Sequence, residues 1–141
     1  MKFIKDEFNY TLRLEKGELL VESLTKFVTE NKIKGGWVMG LGGLKWAELG
    51  FYDLPSQSYT WAKLDEPLEL TNLTGNLAWQ DEAPLLHLHA TVSGSSLHAR
   101  GGHLKESEVA GTVELFLHFW DGDKGLKRTH DSSTGLALLE L

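Results

Sequence analysis

Phe8-Asn9-Tyr10-Thr11-Leu12-Arg13-Leu14, followed after Gly17 by Glu18-Leu19-Leu20-Val21-Glu22-Ser23-Leu24-Thr25-Lys26-Phe27-Val28-Thr29-Glu30-Asn31, is the stretch on which the fold turns. Its first half alternates, with Phe8, Tyr10, Leu12 and Leu14 set against Asn9, Thr11 and Arg13. A period of two sends successive side chains to opposite faces, so the pattern is that of a half-buried strand. Gly17 breaks the run. In the second half Leu19, Leu20, Leu24, Phe27 and Val28 fall on one helical stripe, while Glu22, Lys26 and Glu30 face away. Asn31 is a fitting helix end. The spacing predicts one substantial helix over residues 18–31.

Beyond that helix the chain reads as strands. Residues 36–44 are apolar and glycine-rich and 45–52 continue extended; 59–64, 68–79, 84–92 and 109–120 are further strand candidates. Asp53-Leu54-Pro55-Ser56, Asp81-Glu82-Ala83-Pro84 and Asp121-Gly122-Asp123-Lys124-Gly125 supply turns. Residues 135–141 are apolar enough to form a closing strand. One helix on a mostly antiparallel sheet, an α+β fold, is the simplest architecture. The 141 residues carry no internal repeat and no linker, so a single domain over 1–141 is expected.

Composition narrows the function. Hydrophobic residues make up 41% of the chain, enough for a buried interior. With no cysteine there is neither a disulfide nor a thiolate metal site, which leaves imidazole and carboxylate as ligands. No stretch approaches the roughly 20 apolar residues that span a bilayer. The start, Met1-Lys2-Phe3-Ile4-Lys5-Asp6-Glu7, lacks the apolar core of a secretion signal, and a cytoplasmic location is the expectation. The net charge is −6, and Lys127-Arg128 is the one adjacent basic pair. A nucleic-acid backbone is usually met by a basic patch or stripe, so charge disfavours DNA as a partner.

The sharpest chemical feature is histidine. In Leu85-Leu86-His87-Leu88-His89-Ala90 two histidines stand at i and i+2, on one face of a strand and roughly 6.5–7 Å apart along it. Imidazoles so placed can converge on one ion at about 2.0–2.1 Å. His103, in Arg100-Gly101-Gly102-His103-Leu104, follows two glycines that permit close backbone approach, so it can complete a set of three. Three protein ligands leave a position open for water or substrate, as in catalytic zinc sites. The competing reading is three surface or structural histidines with ordinary hydrogen bonds. His98 reads as a loop residue, His118 as a partly buried structural group and His130 as solvated.

Two further residues are candidates around such a site. Glu114 sits in the otherwise apolar Gly111-Thr112-Val113-Glu114-Leu115-Phe116, where it either orients a ligating imidazole and acts as a base, or faces solvent or a neighbouring subunit. Asn76, after Gly75, either donates a hydrogen bond to a bound substrate or fills a turn or ladder role. Gly35-Gly36-Trp37-Val38-Met39-Gly40-Leu41-Gly42-Gly43 matches neither phosphate-loop pattern, and tight strand packing explains it better. The five tryptophans stand on scattered strands rather than in a basic, aromatic-interleaved stretch, which points to core or subunit interface.

Several of these blocks, taken in order, resemble one family. Tyr10-Thr11-Leu12-Arg13-Leu14, the helix, Gly36-Trp37-Val38-Met39-Gly40-Leu41-Gly42-Gly43 and Glu48-Leu49-Gly50-Phe51-Tyr52-Asp53 resemble the PPC (plants-and-prokaryotes conserved) domain. The match continues through Glu69-Leu70-Thr71-Asn72-Leu73-Thr74-Gly75-Asn76, His87-Leu88-His89-Ala90 and Gly101-Gly102-His103-Leu104, and so covers roughly Phe8 to Phe119. The resemblance implies a PPC-like α+β fold that assembles as a homotrimer. As in bacterial members, it implies a divalent metal, zinc by preference, at His87, His89 and His103. It also brings the description of a predicted DNA-binding protein. In plant members DNA contact comes from a separate AT-hook built around Arg-Gly-Arg-Pro, an element not found in this sequence.

Two functions from different classes follow. One is a metal- or ligand-binding regulatory module, with DNA as a partner by family resemblance. The other is a metal-dependent enzyme that uses the open position of a three-histidine site on a small molecule.

Overall fold

Tyr10, Leu12 and Leu14 are buried and Asn9 and Arg13 exposed, so the alternation that opens the chain becomes a strand with one face in the core. The computed structural model describes residues 1–120 and 125–141. In chain order the elements are β1 (Lys2–Asp6), β2 (Asn9–Glu15), α1 (Leu20–Glu30), β3 (Gly36–Asp53), β4 (Ser58–Leu64), β5 (Leu68–Gln80), β6 (Ala83–Ser93), β7 (Ala99–Phe119), β8 (Arg128–Asp131) and β9 (Leu136–Leu139). The fold is α+β, mostly antiparallel, with one helix among the described residues. That helix is too short to cross a membrane.

The main sheet runs β1-β2-β7-β6-β5-β3-β4, with a further ladder between β7 and β3. That ladder closes a circuit: β3 pairs with β5, β5 with β6, β6 with β7, and β7 returns to β3. Closure depends on the two long strands bending. The register slips at Gly40/Gly42 against β5 and at Gly42/Leu44 against β7. Gly42 takes φ +153°, and a Cβ there would lie 2.3 Å from the Thr112 carbonyl oxygen, so the bulge requires glycine.

Helix α1 buries Leu20, Leu24, Phe27 and Val28. Burial of each such side chain contributes about 1.5–3 kcal/mol. Leu19 stays extended as the N-cap and offers no side-chain cap. The cap comes from β7 instead: the Glu106 carboxylate accepts the backbone N–H groups of Val21 (2.8 Å) and Glu22 (3.0 Å). An anion is stabilised at that end of the helix dipole. At the other end the Asn31 side chain donates to the Phe27 carbonyl at 2.9 Å.

Several segments depart from the sequence expectation. Residues 36–44 and 45–52 form one continuous strand, and the strand expected from 109 begins ten residues earlier, at Ala99. Ala99 to Glu108 is polar and glycine-rich because backbone pairing on its two edges holds it, more than an apolar face does. β1 and β8 carry no readable alternation. The closing strand β9 pairs with β8 in a separate two-stranded sheet, outside the main one. Of the turn expected at 121–125, residues 121–124 lie outside the described residues. Trp37, Trp61 and Trp120 are exposed rather than core.

Candidate metal centre

Strand register, more than loop placement, assembles the site. His87 and His89 lie on β6; His89 is directly opposite His103 of β7, and His87 is opposite Asn76 of β5. His103 is also opposite Gly50 of β3, so the closure of the circuit brings its backbone in. Gly102 permits this, since a Cβ there would stand 2.7 Å from the Gly50 carbonyl oxygen.

One ligand nitrogen from each of His87, His89 and His103 lies within 4.8 Å of the others. The Nε2 atoms of His87 and His89 are 3.2 Å apart. Two imidazole nitrogens bound tetrahedrally to one ion at 2.0–2.1 Å would be separated by about 3.3 Å. His87 and His103 are half-buried and His89 is exposed, so the cluster opens to solvent on one side.

Burial, reinforced by the His87 and His89 charges, pulls His103 down from 6.5 to about 4. Burial, then the Arg128 and His89 charges, lowers His87 as well. Both rings are therefore neutral near pH 7, with a lone pair free for a ligand.

The surroundings are polar on one flank and aromatic on the other. Arg128, at the start of β8, donates from Nη1 to the Ala137 carbonyl (2.6 Å) and from Nη2 to Asn76 Oδ1 (2.8 Å), and its Nη2 lies 3.3 Å from His87 Nδ1. Burial lowers its guanidinium below the ordinary value. On the other flank Tyr59 stacks on Trp61 with centroids 4.6 Å apart, and the Tyr59 ring lies 5.2 Å from that of His103.

The same geometry can close without a metal, but only in part. Arginine can only donate, so His87 Nδ1 accepts from Arg128, and a neutral His87 then carries its proton on Nε2 and donates to His89. That chain satisfies two of the imidazoles. It leaves Nδ1 of His103 buried with no hydrogen-bond partner among the described residues. A buried ring nitrogen without a partner is costly, and three imidazoles converging on one point suit a borderline-soft divalent cation. The donor set therefore fits a metal.

Other sequence candidates lie apart. Glu114 is exposed, opposite Arg13 and Leu41, and lines a surface groove with Lys2, Phe3 and Thr11 rather than meeting the histidines. Among the described residues no carboxylate is hydrogen-bonded or ion-paired to any of the three rings. His98 is exposed, His118 stacks on Trp37 at 4.6 Å, and exposed His130 pairs across to Ala137. Asn76 is at the site, but as the acceptor for Arg128. Arg128, Tyr59 and Trp61 had no signal along the chain. Arg128 stands out in sequence only as half of the lone basic pair.

Comparison with known proteins places this geometry. The chain aligns with a solved PPC protein from Pyrococcus horikoshii at 30% identity and TM-score 0.88, covering 99% of this chain and 95% of that one. A protein from Archaeoglobus fulgidus described as metal-containing is 29% identical, with TM-score 0.86 and coverage of 99% and 97%. A "putative DNA-binding protein" from Bacteroides thetaiotaomicron is 27% identical, with TM-score 0.94 and coverage of 99% and 96%. A sequence comparison with curated proteins gives no match. The model of the Plants and Prokaryotes Conserved (PCC) domain, the family resembled above under the abbreviation PPC, matches residues 3–120, and the chain belongs to that family.

Proposed function

We propose that this protein holds one divalent metal ion, zinc by its donor chemistry, at His87, His89 and His103, and that the centre serves a small-molecule ligand. The observation that carries the reading is the convergence of three imidazoles, with a ring nitrogen of His103 left buried and unpartnered among the described residues. The metal-containing relative from Archaeoglobus fulgidus supports it. Three protein ligands leave room for a fourth, and the exposure of His89 gives a ligand access. When bound, the ion would supply Lewis-acid polarisation of a ligand oxygen. The chain's own residues would position that ligand: Arg128, braced by Asn76, on one flank, and the Tyr59–Trp61 stack limiting water on the other. The open position favours a metal-dependent enzyme as the second reading. Glu114 is too far along β7 to be its base.

Elemental analysis of the purified protein beside a His87→Ala, His89→Ala variant tests the centre. About one metal equivalent per chain, lost in the variant, is expected; no metal in either, even after zinc is added, would overturn the reading.

DNA binding is the competing function, and it rests on the names of two solved relatives. Against it stand the net charge of −6 and the pairing of Lys2, Arg13, Lys45, Arg100 and Lys105 with carboxylates. A gel shift at physiological salt is expected to show no complex; a salt-resistant, sequence-selective complex would reverse that.

The homotrimer belongs to the same proposal. Trp37, Met39 and Leu41 of β3 and Phe116 of β7 are each more than half exposed, and the register puts them on one outer face. A contiguous apolar face of this kind suits association with further copies. Sedimentation equilibrium should return three times the 15.8 kDa chain mass. A Met39→Asp variant should dissociate.

A further inference from the structure

Arg128 is the one feature of the site that neither the fold nor a metal accounts for. Its side chain is half-buried beside the histidines, and Nε is buried without a hydrogen-bond partner. The acceptors it does have, the Asn76 amide and the Ala137 carbonyl, are neutral. Among the described residues no carboxylate forms an ion pair with it. Burying a cation is costly unless an anion answers it, yet in this chain it is the exposed Arg100 and Lys105 that pair with carboxylates, Glu66 and Glu48. The guanidinium is held by neutral acceptors, with no anion answering its charge among the described residues.

Its third contact is conditional. Nη2 faces His87 Nδ1, which can accept only while His87 carries its proton on Nε2. Ligation through His87 Nε2, the nitrogen turned toward His89, moves the proton to Nδ1. The contact then becomes donor against donor. Arg128 must turn that N–H to another acceptor, and among the described residues the site offers no carboxylate.

From this we propose that Arg128 is a positioning and binding residue for a small monocarboxylate whose charged end sits beside His87 and whose apolar part lies toward the Tyr59–Trp61 stack. The inference rests on the three histidines holding a metal. One guanidinium with neutral neighbours matches one negative charge and the flat fork of a carboxylate. A phosphate, with two charges and more oxygens to satisfy, would want further donors. Because the anion answers the N–H that metal loading displaces, metal and carboxylate bind cooperatively.

The test uses the full chain loaded with cobalt(II), whose visible spectrum reports the ligand sphere without any assay of activity. Benzoate, acetate and inorganic phosphate are titrated into wild type, Arg128→Gln and Asn76→Asp. In the last, the new carboxylate occupies Arg128 while the guanidinium and the β8–β9 contact stay in place. Wild type should show a saturable spectral change with benzoate, weaker with acetate and weakest with phosphate. Both variants should still load cobalt, no more weakly than wild type, and lose benzoate affinity by roughly tenfold or more, the usual weight of a hydrogen bond to a charged group. If Arg128→Gln does not fold, Asn76→Asp alone decides. Cobalt binding with equal benzoate affinity in wild type and variants, or tighter phosphate than benzoate, overturns the carboxylate role and leaves the metal reading standing. No cobalt uptake by wild type overturns the metal reading and this inference with it.

Discussion

Two polar residues three positions apart on β7 meet opposite fates. Glu106 is half-buried, and its carboxylate is fully answered: Val21 and Glu22 donate from the first turn of α1, and its neighbour Ser107 donates at 2.8 Å. His103 is half-buried too, yet its Nδ1 has no partner among the described residues. The fold spends Glu106 on itself, pinning the helix to the sheet. It leaves the histidine corner unfinished, and Arg128 beside it unpaired by any acid among the described residues. A buried polar group that the chain fails to satisfy is destabilising, so it is where a ligand from outside has most to offer.

The contrast can be broken from either end. The largest effect should come from the unfinished side: His87→Ala with His89→Ala is expected to take metal content from about one equivalent per chain to none, while the circular dichroism of the fold is kept. A variant that still holds its metal would separate the histidines from the centre. On the finished side, Glu106→Ala removes two charge-assisted bonds at the helix N-terminus and should cost about 1–3 kcal/mol in denaturant unfolding, with metal content unchanged. A loss of metal there would mean that the two regions are coupled.

Acid should act first on the histidine corner; the carboxylates of Glu15, Asp53, Glu108 and Asp131, held below their ordinary values by hydrogen bonds, give way at lower pH. His103 sits at about 4 in the folded chain against an ordinary 6.5, so the unfolded chain takes up its proton first as pH falls. Its contribution to stability is complete above about 6.5, declines through that window and levels off below about 4. A midpoint of thermal unfolding followed across this range should show the decline, and His103→Ala should flatten it. Metal should be released from the folded chain only as pH falls toward about 4, where His103 takes up its proton, since only neutral rings bind. The smallest effect is expected at Glu114: Glu114→Gln, on an exposed strand position, should leave metal content unchanged and move stability by no more than about 0.5 kcal/mol.

Much of the fold was legible because its signals are local. The alternation at Tyr10, Leu12 and Leu14 and the stripe of Leu20, Leu24, Phe27 and Val28 report burial directly, since each repeats with the period of its own backbone. β1 and the first half of β7 were not legible, because edge pairing and two-sided backbone bonding hold them with little apolar patterning. For Glu114 the exposed reading holds: Val113 and Leu115 on either side face the core, and Glu114 shares the outer face with Leu41 and Phe116.

The histidines divide the same way. That His87 and His89 share a face follows from the pleat, and Gly102 before His103 marks a backbone that must come close to another. Sequence alone settled those points, along with the α+β class, the absence of thiolate ligands and the net acidic charge. Only the tertiary structure decided that His103 lies opposite His89, that Asn76 serves Arg128, and that Arg128, Tyr59 and Trp61 flank the site. The physical reason is register. Which residues face each other across strands far apart in the chain is set when the β3–β5–β6–β7 circuit closes, and no local period encodes that closure.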